Sequence, residues 1–86
     1  MEAECGMIVR SAAGRDKGLF MVILAVEGGF ACVADGKLRR ISKPKRKNLK
    51  HLKFTRSRID TADLTDKKLR GVIAAFAGDE KSRTET

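Results

Sequence analysis

The chain has no tryptophan, no tyrosine, one proline and one histidine in 86 residues. Three of its four phenylalanines sit in apolar patterns, so it lacks the aromatic platform on which readers of single-stranded nucleic acid stack bases. The lone His51 has no carboxylate or thiol close by in the sequence to orient or activate it. Ser11, Ser42 and Thr55 likewise lack a sequence sign of activation, so no enzyme is expected and no cofactor. Cys5 and Cys32 have neither the close spacing nor the histidine partners of a zinc site. Cys32, between Ala31 and Val33, reads as a small core residue, and Cys5 as a free thiol. No apolar run reaches the roughly 18 residues of a membrane span, and MEAEC has no basic region leading into an apolar stretch. A cytoplasmic protein with no membrane partner is expected.

One further absence is local. Between Lys37 and Arg58 there is no carboxylate, while eleven of the nineteen lysines and arginines fall there. The flanking stretches are each slightly acidic, so this segment accounts for more than the whole formal charge of +8. Such a concentration raises the local potential and seeks a polyanion.

At this length the chain makes one small domain with a thin stability margin. Short apolar runs cut by glycines from Gly6 to Ile41 announce antiparallel strands. Met7 to Arg10 is the first. After the loop SAAGRDKG comes Leu19 to Val26, eight apolar residues that read as a central strand covered on both faces. Gly28-Gly29 suits a tight turn into Phe30 to Ala34, and Asp35-Gly36 a second turn into a short strand from Lys37 to Ile41. Ser42 to Asn48 reads as an exposed loop, with Pro44 unable to donate to a ladder, and Leu52 and Phe54 alternate with polar residues in a last strand. Leu69, Val72, Ile73 and Phe76 then recur at helical spacing behind Thr65 as N-cap, with Gly78 as C-cap.

The expected fold is mainly β: a small SH3-like barrel of about five antiparallel strands with a C-terminal helix. The expected division is an N-terminal extension (1–5), barrel (6–56), linker (57–64), helix (65–78) and flexible tail (79–86). An oligonucleotide-binding barrel usually needs more chain.

The loop Gly14-Arg15-Asp16-Lys17-Gly18 presents two cations between glycines that let backbone approach a ligand. It is not a P-loop, because the Gly-Lys-Ser/Thr end and a following helix are missing. The strand-loop-strand unit Gly6 to Val26 built around it resembles the KOW motif of ribosomal proteins and transcription elongation factors. The run from Val33 to Thr55 is similar to small bacterial KOW-domain RNA-binding proteins and to the fourteenth large-subunit protein of archaeal and eukaryotic ribosomes. Asp35-Gly36, Arg39-Arg40, His51-Leu52 and Thr55 carry that likeness. The resemblance implies a barrel that binds ribosomal or other structured RNA, with association to the ribosome and a place in translation.

Composition points the same way independently. Arg39, Arg40, Lys43, Lys45, Arg46, Lys47, Lys50 and Lys53 are placed to meet phosphates, and Arg15, Lys17, Lys37, His51 and Arg56 complete the candidate RNA-binding set. Recognition is expected to be of backbone and shape. A protein-interaction adaptor, docking through the barrel or the helix stripe, is the alternative. Attachment to an anionic membrane is weaker, since the basic run has few apolar residues at helical spacing.

Overall fold

The longest apolar run of the chain forms most of an eight-residue strand, β2 (Phe20–Glu27), whose alternate side chains from Phe20 to Leu24 enter two different cores. Met21 and Ile23 face one side, Val22 and Leu24 the other, as a period of two requires. The strand is covered on both faces from Phe20 to Leu24, as continuous hydrophobicity suggests, but Ala25 and Val26 beyond it are exposed. In the computed structural model, which describes residues 2–84 with side chains through Gly78, β2 is the middle strand of five.

The other strands are β1 (Met7–Ser11), β3 (Phe30–Ala34), β4 (Lys45–Asn48) and β5 (Leu52–Arg58), and all neighbours are antiparallel in the order β4-β3-β2-β1-β5. A single 3₁₀ turn, Leu49–His51, joins the last two, with the Asn48 side chain accepting from the Lys50 N–H. The sheet pairs Ile8 with Val22, Val9 with Phe54 and Val33 with Lys45. Irregular register between Ile23 and Ala25, and again between Met7 and Val9, increases twist and lets the strands curl. The first core, Met7, Val9, Met21, Ile23, Ala31, Val33 and Leu52, lies within that curl, with Leu49 and Phe54 packed against it. This is a small SH3-like barrel, as expected.

The second core lies on the outer face. Helix α1 (Asp66–Thr84) starts at the expected N-cap, where the Lys68 N–H donates to Thr65 Oγ1 at 3.2 Å. It sets Leu69, with no exposed surface, against Ile8, Val22 and Ala34. Val72, Ile73 and Phe76 join this cluster, and Phe76 meets Phe20 edge-to-face at 5.1 Å. The helix stripe thus covers the barrel. Among the described residues no helix is long and apolar enough to cross a membrane.

Two sequence expectations fail between Ala34 and Leu52. No strand forms over Lys37–Ile41, because the Asp35 carboxylate accepts the N–H groups of Lys37 and Arg39 at 2.9 and 2.8 Å and folds the chain into a local loop. Ile41 then gives its N–H to Asp66 Oδ1 at 2.8 Å, which fixes the loop to the first turn of α1. The fourth strand is instead Lys45–Asn48, within the segment read as exposed loop, and Pro44 falls just before it. Gly78 does not end the helix, whose backbone continues through the expected tail to Thr84; residues 85 and 86 lie outside the described ones.

Candidate nucleic-acid interface

The loop 12–18 between β1 and β2 is anchored by a buried charge cluster. Asp16 is 8% exposed although it lies among solvated neighbours. Its Oδ1 accepts from Lys47 Nζ and from the Ser11 hydroxyl, both at 2.7 Å, and its Oδ2 pairs with Lys45 Nζ at 3.3 Å. Lys47 also donates to Ser11 Oγ at 2.7 Å and to the Ala13 carbonyl at 2.8 Å, so all three ammonium protons are used. Burial opposes ionisation of Asp16, but the hydrogen bonds from Lys47, Ser11 and Lys45 and the Lys47 charge outweigh it, holding the carboxyl well below the usual range. Because β4 and β1 share no ladder, this cluster ties together strands that the sheet leaves apart.

Lys47 is therefore a correction to the expected RNA-binding set. It is 6% exposed and spends its charge inside the protein. Lys45 is half-committed to the same carboxylate but keeps an exposed share. Arg46 turns to the opposite surface of β4, its guanidinium 4.3 Å from the centre of the Phe30 ring.

With Asp16 drawn inward, Arg15 and Lys17 stand exposed on either side of it. Each opens onto a cationic cleft. One, about 300 Å³, is lined by Arg10, Lys17 and Lys53 with Ser11, Ala12 and Gly18. The register explains it, since Arg10 and Lys53 are direct cross-strand partners on β1 and β5. Arg10 is held there by its Nε donating to the Gly18 carbonyl at 3.2 Å and by its guanidinium lying 5.5 Å from the Phe20 ring centre. The other cleft, about 290 Å³, gathers Arg15, Arg39 and Lys45 around Met21 and Leu38, with the paired Asp16 also in its lining. Leu38 is 68% exposed beside Arg39.

Residues from three distant stretches of sequence thus surround one loop. Lys37 lies in an adjoining groove with Arg70, whose Nη1 donates to the Gly36 carbonyl at 2.8 Å. Arg40, Lys43, Lys50, His51 and Arg56 are exposed but line neither cleft. His51 reaches the loop only through its carbonyl, which accepts the Ala12 N–H at 2.8 Å. Arg10 is the site residue that sequence reasoning missed; only the pairing of β1 with β5 reveals that it stands beside Lys53.

The carboxylates that line these clefts and the adjoining groove are Asp16 and Asp35; Asp16 is buried with both oxygens engaged, and Asp35 is buried with its Oδ1 engaged by two backbone N–H groups. The surface left facing solvent is cationic, with Gly14 and Gly18 at positive φ where the backbone turns. Chemically it can take up phosphate oxygens at several points along a rigid outline. Comparison with protein-family models and with curated proteins finds no match to the chain.

Proposed function

We propose that this chain is a cytoplasmic KOW-type domain that binds structured RNA, ribosomal RNA first among candidates, by gripping its phosphate outline. The observation that carries this reading is the arrangement around loop 12–18. The loop's carboxylate is turned inward against Lys47, while Arg10, Arg15, Lys17, Arg39 and Lys53 remain outside without a described acid to neutralise them. A merely solvated face would intersperse charges of both signs. The rigid β scaffold beneath, and the scarcity of exposed aromatic rings, favour recognition of shape over stacking.

The adaptor reading draws no support from the helix stripe, which is occupied within the fold. The test is a titration with a ribosomal RNA fragment at several salt concentrations. About five phosphate contacts give a slope of log K against log salt on the order of −3.5 to −4.5. A slope near zero overturns the proposal.

A further inference from the structure

Next to the cationic clefts, where α1 passes loops 12–18 and 35–39, lies a groove of about 480 Å³ whose lining differs from theirs. Leu19, Phe20, Ile73, Ala74 and Ala77 make its apolar wall, while Lys37 and Arg70 supply two cations. Asp35 supplies the one carboxylate. Its Oδ1 is taken by the Lys37 and Arg39 N–H groups, but Oδ2 has no protein donor among the described residues. Lys37 likewise makes no described ion pair, and Arg70 uses only one of its nitrogens, on the Gly36 carbonyl.

An apolar wall, two cations and one acceptor in a volume of small-ligand size match the parts of a single nucleotide. A phosphate meets the cations, the flat base lies on the apolar wall, and an exocyclic amine donates to the acceptor. A paired duplex cannot offer this, because its bases are stacked within the helix. An unpaired residue splayed out of one can.

We infer that this groove receives one unpaired, amino-bearing nucleotide of the bound RNA, with its phosphate on Lys37 and Arg70 and its amino group on Asp35 Oδ2. The inference rests on the RNA-binding reading and adds to it a point of base selection. Cytosine satisfies it through N4, whereas uracil would set its O4 acceptor against the carboxylate.

The experiment compares one RNA stem in three forms: fully paired, with a single bulged cytidine, and with a single bulged uridine. The expected result is about tenfold tighter binding of the cytidine form than of the other two. Ala74→Glu, an exposed helix position that brings a carboxylate into the groove, should abolish the difference, while its added charge lowers affinity for the paired stem only a few-fold. Asp35→Asn keeps the Oδ1 acceptor that closes the loop but exchanges the second oxygen for an amino donor, so preference should move from cytidine to uridine. Equal binding of the three RNAs overturns the groove assignment and leaves the RNA reading standing. No binding of any of them overturns both. Free cytidine monophosphate binding more tightly than the bulged RNA assigns the groove to a soluble nucleotide and also overturns it.

Discussion

Loops 12–18 and 35–44 reach the same end of the barrel from different parts of the chain, and they are held by opposite means. The first is fixed by side-chain charge: Asp16, Lys47 and Ser11 meet in a buried cluster. The second is fixed through its backbone, with Asp35 and Asp66 accepting main-chain N–H groups and Arg70 donating to a carbonyl. In both, carboxylate oxygens are engaged internally as anchors. Cations are what remain for solvent, so a positive surface arises from where the acids point as much as from how many bases there are.

The sharpest way to break the first anchor is Lys47→Met, which leaves Asp16 buried beside Ser11 and Lys45 alone. Removing one partner of a buried pair costs about 3 to 5 kcal/mol, and urea unfolding should show a loss of that order, nearer the lower end given the remaining donors. The same cluster predicts an acid dependence. Because the folded carboxyl of Asp16 is depressed, its stabilisation is present above the ordinary aspartate value of about 4 and is lost as pH falls toward the lowered folded value. Unfolding curves between pH 7 and pH 2 should decline in that acid range, and an Asp16→Asn protein, weaker at pH 7, should decline less.

Next in size is the functional arm of the comparison. The triple variant Arg15→Gln, Lys17→Gln and Lys53→Gln alters exposed residues that anchor nothing, so stability should hold while RNA affinity at 0.1 M salt falls roughly a hundredfold and the salt slope loses about 2 to 3. Unchanged affinity in a folded variant removes these three from the interface.

The backbone anchor is tested by Gly36→Ala. At φ +79 an added Cβ would run into the Asp66 carbonyl, so a loss of about 2 to 3 kcal/mol is expected. Gly28→Ala shares a positive φ but meets nothing nearby, and should cost about 1 kcal/mol in the same assay. The difference between the two measures helix-to-loop contact apart from backbone strain. Smallest of all is Glu4→Gln, which removes a pair with Arg58 whose side chains are 52% and 58% exposed; its midpoint should barely move.

The sequence discloses what alternation and glycine can disclose. β2 was legible because eight apolar residues between glycines have few other uses, and the start of α1 because Thr65 precedes a helical stripe. β4 was hidden. Its residues, KRKN, carry no apolar side chain, so the inward position is held by Lys47 and the usual signal of a half-buried strand vanishes. The Asp35-Gly36 pair drew the hairpin too early for a related reason: the dipeptide does turn the chain, but Asp35 then closes a loop instead of opening a ladder. For the site, charge density located the right half of the molecule, while the division of that charge between inside and outside depended on partners far away in sequence.

The docking of α1 on Ile8, Val22 and Ala34 bears on how the chain emerges during synthesis. β5 must return to β1, joining Met7 with Arg58, before the sheet is complete, and the segment that covers its outer surface is translated later still. A nascent chain halted before Leu64 carries every strand yet leaves that apolar patch open to water, a sticky intermediate that a chaperone or the nearby ribosomal surface would have to shield.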